Sequence, residues 1–461
     1  MLMKRNSIIK FLLLVLSALS AFWIMSDNIL FSNKPTRSFY AHELIIALVL
    51  LVILYGLLIF FLIKQYQYKP SVISIGVLSI LFIVLLIHLC FVRPQTFDIV
   101  APNGNAYSFM SHITSLERFR YISQLFATFL MGFFVIDLLP KALDTKELRF
   151  LLLVLLSLIY IFILISYITD FRSYINLITF KQGNSIYDNG VKAFFPHKTV
   201  FGYILMIGGF VALYLFAKEK KWYWLASVGV IFIHLVATLS KLAIIIFFIA
   251  SVIYLLYVFF SGYKNNIKRN KKILIIGICV LVTLLLIGVL LYFLSSKVKD
   301  IVNKLVYPSG YNTFTTRTWI WNYAFAILKQ TSYSLGAGFM YFGSVLKQAN
   351  LMDEETALVN NTSQTHNAYI SMWANGGILL LVAYILFIVI LIQVLIKYFK
   401  INMNLAIFYG IALLSLLVYG FFEAAPIVLA TSAEHMLGGA FVVSGLLIHY
   451  REEANTTAAV S

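Results

Sequence analysis

Two side chains stand out as able to do polar chemistry in a chain otherwise built for lipid. They are Arg317, in the run TTRTWIW, and His366, in THNAYISMWANGG. A guanidinium is planar and permanently charged, so it can hold a phosphate through two parallel hydrogen bonds. An imidazole titrates close to neutral pH and can take the proton of an attacking hydroxyl without help from a metal. A fixed cation and a titratable base on one polar stretch suit transfer of a group away from a phosphate leaving group. Each residue taken alone has a plainer reading: an arginine that snorkels to lipid headgroups, and a polar residue at a membrane boundary.

Other residues extend this set. Lys241 follows Thr238-Leu239-Ser240 at a tight turn between two predicted spans, where a lysine either snorkels or pairs with an anion. Lys198, after Pro196-His197, stands at the end of its own span and can join the same basic rim. Glu423, in YGFFEAAP, ends another span and is placed to orient a base or pair with an arginine. Asn367 suits the cap of the helix that follows it, Tyr369 is its close neighbour, and Gly376-Gly377 allow close helix packing. Glu434-His435 reads as a buried structural pair, and Asp353-Glu354-Glu355 as part of a solvated acidic run. No metal site is expected, because the histidines are scattered without ligand spacing. Gly336-Ala337-Gly338 lacks the surroundings of a dinucleotide fingerprint, and no serine sits in a nucleophile elbow. Cys90 and Cys279 fall in different predicted spans, which gives no disulfide framework.

The elements that must position these residues are membrane helices. The chain has 461 residues, 61% of them hydrophobic and 11% charged, with a mean hydropathy of +0.92. A soluble domain with that balance would have an apolar surface. Apolar runs long enough to cross the hydrocarbon core recur about twelve times, near 8–27, 43–63, 71–92, 121–140, 149–168, 199–217, 222–239, 242–261, 273–295, 375–396, 404–422 and 429–449. The first follows Lys4, Arg5 and Lys10 and reads as a retained signal-anchor. The short basic loops Lys64–Lys69, Lys141–Arg149, Lys218–Lys221, Gly262–Lys272 and Lys397–Lys400 all belong on one side, which the positive-inside rule makes cytoplasmic. Both termini are then cytoplasmic, and the polar stretch from Ser296 to Asn367 faces outward.

The expected fold is therefore an all-α integral membrane protein with about twelve spans and one large extracytoplasmic loop containing short helices. Residues 1–295 form an N-terminal bundle, 296–367 the loop, and 368–461 the last spans and a short cytoplasmic tail. Within the loop, TWIWNYAFAILKQ reads as a helix lying against the bundle or in the interface, with Arg317 just ahead of it, where a helix N-terminus adds backbone donors. Gly336, Gly338 and Gly343 then mark turns. Two further outer segments, Arg93–Arg120 with the turn cluster Pro102-Asn103-Gly104-Asn105 and Thr169–Lys198, are long enough to hold structure. The outward segments keep a modest basic excess that topology does not need; it fits an outward site for an anionic substrate, or simply the indifference of long translocated loops to charge, and no nucleic acid is expected as a partner.

Taken together these residues resemble the O-antigen ligase and polymerase family of membrane glycosyltransferases. Arg317 with Trp321, followed by a G-x-G turn, resembles the family's arginine–tryptophan motif. THNAYISMWANGGILLLVAYI resembles its histidine–asparagine motif followed by a glycine-containing span. The match covers about Tyr311–Tyr384. It departs at Ser240-Lys241, where many members carry an arginine; lysine keeps the charge but loses the bidentate fork. The resemblance implies a glycan donor on undecaprenyl diphosphate, a glycan or lipid acceptor, surrounding membrane lipids, no cofactor, and metal-independent inverting transfer at the outer face. With the residue chemistry, it makes His366 the expected base, places Arg317 with Lys241 on the diphosphate, with Lys198 joining from its basic rim, and puts Trp321, Asn367, Tyr369 and Glu423 in support. Polymerisation of repeat units is the first expectation. Ligation of finished glycan to lipid A–core or another acceptor uses the same residues, and a non-enzymatic flippase for the same lipid is the alternative of a different class.

Overall fold

The computed structural model describes residues 5–25, 37–101, 104–178, 190–195, 197–264, 313–352, 364–429 and 433–460. In chain order these form α1 (Arg5–Met25), α2 (Arg37–Tyr66), α3 (Val72–Phe91), β1 (Gln95–Val100), β2 (Ala106–Ser111), α4 (Ser115–Ala142), α5 (Thr145–Thr169), α6 (Phe171–Ile178), α7 (Lys198–Glu219) and α8 (Trp222–Ala237). They continue as α9 (Lys241–Lys264), α10 (Thr313–Gln330), α11 (Tyr341–Met352), α12 (Ala368–Ile401), α13 (Met403–Phe422), α14 (Ala433–Gly439) and α15 (Gly445–Val460). Among the described residues 9 helices are long and apolar enough to cross a membrane, which makes this a multi-pass membrane protein. The expected span at 222–239 is the shorter α8, and that at 273–295 lies outside the described residues. The one at 429–449 is divided, because a π-turn at Ala440–Ser444 separates α14 from α15.

The chain forms two compact units. The first comprises Met1–Lys146, Thr316–Val394 and Gly420–Ser461. In it α1 packs on α2 and α4, and α3 on α4. A capping box opens α4: the Thr114 hydroxyl accepts the Glu117 N–H at 3.2 Å, and the Glu117 carboxylate accepts the Thr114 N–H at 2.8 Å. A π-turn at Phe134–Leu138 interrupts the same helix and buries Asp137. The Ser444 hydroxyl, from the second π-turn, donates to the Val135 carbonyl of the first at 2.7 Å.

The fold is mostly helical, as expected, with one small addition: β1 and β2 pair as an antiparallel hairpin. The run QTFDIV alternates, burying Phe97 and Ile99 while its neighbours face out, and Phe97 stacks on its cross-strand partner Phe109 at 5.7 Å. Gly104, with φ +86°, supplies the turn that the Pro102–Asn105 cluster led one to expect. The hairpin shares a core with Ile320, Tyr323, Ile327, Tyr341 and Val345 of α10 and α11. Its edge is tied down by Gln330, whose side chain accepts from the Asp98 N–H at 2.9 Å and donates to the Asp98 carbonyl at 2.7 Å. The helix bearing Arg317 thus rests on a β platform within this unit.

The second unit comprises Glu147–Thr315 and Leu395–Tyr419. At its centre α7 is apolar on every side and buried from Phe201 to Ala217, as expected of a helix enclosed by others. Gly209 receives the ring of Phe247 from α9, and Gly208 receives Ile159 from α5; a Cβ at either place would overlap the neighbour. Tyr203 meets Tyr419 and Tyr214 meets Phe408, which holds α13 against the same helix.

Candidate functional site

Arg317 and Trp321 stand four residues apart, on one face of α10. Arg317 is therefore inside the second turn of the helix rather than ahead of it, so its guanidinium, not the helix N-terminus, carries the charge at this point. Trp321 reaches the next motif: its indole N–H donates to the Thr365 carbonyl at 2.8 Å. Thr365 is fully buried, and its hydroxyl donates to the Asn367 carbonyl at 2.7 Å while accepting the Asn367 N–H at 3.3 Å. Between these two residues His366 takes a left-handed conformation with φ +48°. Histidine is among the residues that tolerate this region, at some cost that the surrounding bonds must offset.

Asn367 fixes the other side of the turn. Its Oδ1 accepts the N–H groups of Tyr369 and Ile370 at 2.9 and 3.0 Å, which is the cap expected for α12. Its Nδ2 donates to the Phe421 carbonyl at 3.0 Å. Phe421 lies edge-on to Trp321 at 6.0 Å and meets Tyr369 at 6.4 Å. These contacts deliver the end of α13 to the histidine turn.

The residue so delivered is Glu423. Its Oε1 accepts from Arg317 Nη2 at 2.8 Å, and its Oε2 lies 2.8 Å from His366 Nδ1. The three side chains are 15%, 18% and 29% exposed for Glu423, Arg317 and His366. Burial opposes ionisation of Glu423 and is the largest single influence on it. The attraction and hydrogen bond of His366, with the charges of Arg317 and His435, together outweigh it and hold the carboxyl down to about 2. An ionised carboxylate can only accept, so His366 Nδ1 must be the donor, and the neutral ring then presents Nε2 as its basic nitrogen. Glu423 thus pairs with the arginine, as expected, and bonds the histidine at the same time. Arg317 Nε is buried without a hydrogen-bond partner among the described residues.

A second junction brings the two motifs together. The helix α12 is broken at Gly376-Gly377, where Gly377 has φ +66°. The segment after α10 enters that break: the Ala337 N–H donates to the Ala374 carbonyl at 2.9 Å, and the Ile378 N–H to the Tyr333 carbonyl at 2.9 Å. Asn375 Oδ1 accepts the Met340 N–H at 2.9 Å. A Cβ on Gly377 would lie 2.0 Å from the Ser334 carbonyl oxygen, so glycine is required there.

Lys198 and Lys241 belong to the second unit, where each is the first residue of its helix. The segment at Gly190 joins them, since Val191 N–H donates to the Ala237 carbonyl at 3.0 Å and a Cβ on Gly190 would meet both Lys198 and Thr238. Gly202 of α7 likewise packs against Ser240, next to Lys241. Of the expected pair Glu434-His435, His435 is buried and acts electrostatically on Glu423. Asp353-Glu354-Glu355 lies outside the described residues. No group of His, Cys, Asp and Glu suited to a metal ion is found among the described residues. Thr365 carried no expectation, although a buried threonine beside a histidine–asparagine pair can only be recognised once its partners are known.

Residues 225–385 match the family model described as O-Antigen ligase. That stretch, less than half of the chain, is similar to the O-antigen ligase family. The matched stretch holds Lys241, Arg317, Trp321, His366, Asn367 and Tyr369, so the arginine and histidine motifs both fall inside the region of similarity. Glu423 and Lys198 lie beyond its two ends. No curated protein matches the chain.

Proposed function

We propose that this O-antigen ligase-type protein is a membrane glycosyltransferase that uses an undecaprenyl-diphosphate-linked oligosaccharide as donor at the outer face of the plasma membrane. It polymerises repeat units of a surface or exopolysaccharide by inverting transfer. The observation that carries the reading is the Glu423 carboxylate, shared between His366 Nδ1 and Arg317. His366 Nε2 takes the proton of the acceptor hydroxyl as its oxygen attacks the anomeric carbon. The bond from that carbon to the diphosphate oxygen breaks, and the diphosphate leaves with the electron pair. Arg317, with Lys241 and Lys198, stabilises the charge that grows on it, and stabilisation that strengthens with that charge is what raises turnover. Glu423 keeps the correct tautomer and favours the imidazolium once formed, as the buried carboxylate does in a serine-protease triad.

Orientation follows from the basic loops, with both termini cytoplasmic and Arg317, His366 and Glu423 outward. A second reading, transfer of finished glycan to lipid A–core or another acceptor, is favoured by the family's description as a ligase. The length of glycan on the carrier in cells lacking the protein separates the two. Single repeats on the carrier establish the polymerase, and long carrier-linked chains that never reach an acceptor establish the ligase. Repeats held on the cytoplasmic side overturn both in favour of a flippase.

A further inference from the structure

The first unit contains a groove unrelated to Arg317 and His366. It lies among α2, α3 and α4, with a volume of about 280 Å³, and its walls include Ile59, Tyr68, Leu78, Phe82, Phe129 and Phe133. Its lining is almost wholly apolar, and Ser79 is one of the few polar side chains on it. The wall formed by α3 faces lipid, since only 11% of the apolar stretch of this helix is buried. Phe82 reaches across to the rings of Phe126 and Phe129, at 5.9 and 5.7 Å, and leaves a channel beside them rather than a closed core.

One end of the groove is basic. Tyr68 lines it and donates its hydroxyl to Asp137. The Lys141 ammonium sits 5.6 Å from the centre of the Tyr68 ring, 2.7 Å from the Asp137 carboxylate, and donates to the Lys69 carbonyl at 2.9 Å. Lys69 itself stands exposed between two lining residues, Tyr68 and Pro70. Lys64, also exposed, lies over the Phe60 ring on the last turns of α2, and Lys10 lies 4.4 Å from the centre of the Tyr66 ring. At this end the Asp137 carboxylate is already matched by Lys141, which leaves the exposed Lys69 beside the lining.

We propose that this groove binds one acyl chain of an anionic glycerophospholipid, whose phosphate rests against Lys69. The apolar walls accept the chain, and the basic end selects the headgroup charge. Among anionic amphiphiles, mass action favours the bilayer lipid, which surrounds the open α3 wall at far higher concentration than a carrier lipid. The site is separate from the transfer chemistry and stands whether or not the protein is a glycosyltransferase.

The test uses the full-length protein reconstituted in phosphatidylcholine nanodiscs doped with phosphatidylglycerol, then moved to detergent, with retained lipid counted by native mass spectrometry. Phosphatidylglycerol is expected to be retained in preference to phosphatidylcholine. Ser79→Trp, which fills the groove, should lower that retention about tenfold. Lys69→Gln, an exposed change that leaves the core untouched, should lower it about fivefold, the effect of one lysine at an anionic surface. Equal retention of the two headgroups overturns the proposal, as does unchanged retention in Lys69→Gln. Stoichiometric displacement of phosphatidylglycerol by added undecaprenyl phosphate also overturns it, assigning the groove to the carrier instead.

Discussion

Two carboxylates of the first unit, Glu423 and Asp137, are built on one plan. Each accepts from a cation and from an aromatic ring: Arg317 and His366 for Glu423, Lys141 and Tyr68 for Asp137. They differ in what the ring can do and in who can reach it. Tyr68 spends its one polar atom on Asp137, and that carboxylate is 3% exposed, so the cluster is closed and joins the segment before α3 to the π-turn of α4. His366 has a second nitrogen, is 29% exposed, and stands on a turn forced into a left-handed conformation. The same ionic arrangement is a closed brace in one place and, under the proposed function, holds a base in the other. The ring nitrogen left over makes the difference.

The comparison breaks most sharply at His366. His366→Ala should lower transfer by about a thousandfold or more while donor binding persists, measured with purified protein and lipid-linked donor. Retained turnover would remove the base from the scheme. Glu423→Gln should follow, lowering turnover by about a hundredfold with little change in apparent donor affinity, because the amide cannot enforce the tautomer. Arg317→Lys should cost about tenfold if the guanidinium fork matters, and full rescue by lysine would reduce it to a point charge.

Asp137→Asn should leave turnover unchanged yet lower stability by about 1–3 kcal/mol, read as a fall in the thermal midpoint, because Lys141 loses its counter-charge and one of the two donors meets an amide NH2 in place of an acceptor oxygen. A fall in turnover comparable to that of Glu423→Gln would end the distinction between brace and base. The smallest effect concerns pH. Since the folded carboxyl of Glu423 is held at about 2, below its ordinary 4.5, its ionisation stabilises the fold above 4.5 and loses that contribution as pH falls towards 2. Thermal midpoints should fall over that interval in the wild type, and less steeply in Glu423→Gln.

How much of this the sequence discloses depends on the range of the interaction. Arg317, Trp321, His366 and Asn367 were legible because their residue types and order carry chemistry, and the cap made by Asn367 is a local bond. Among the described residues the long membrane helices were legible from apolar runs, but the π-turn that divides the last expected one was not, since such a turn leaves no mark in composition. The hairpin went unread because QTFDIV and AYSFMS are six residues each, too short to stand out beside long membrane helices. The joint between the segment near Gly336 and the broken α12 was illegible for another reason. Glycines announce freedom, and only the fold shows that Gly377 uses it to admit a backbone from elsewhere in the chain.

The shared carboxylate also sets a clock. Arg317, His366 and Glu423 are made in that order, and the residue that aligns the other two is made last. While the chain is being synthesised, the imidazole and the guanidinium wait without their common acceptor, and the alignment appears only when the end of α13 arrives. The histidine turn is aligned only in the late stages of assembly, after the membrane helices that precede it have been made.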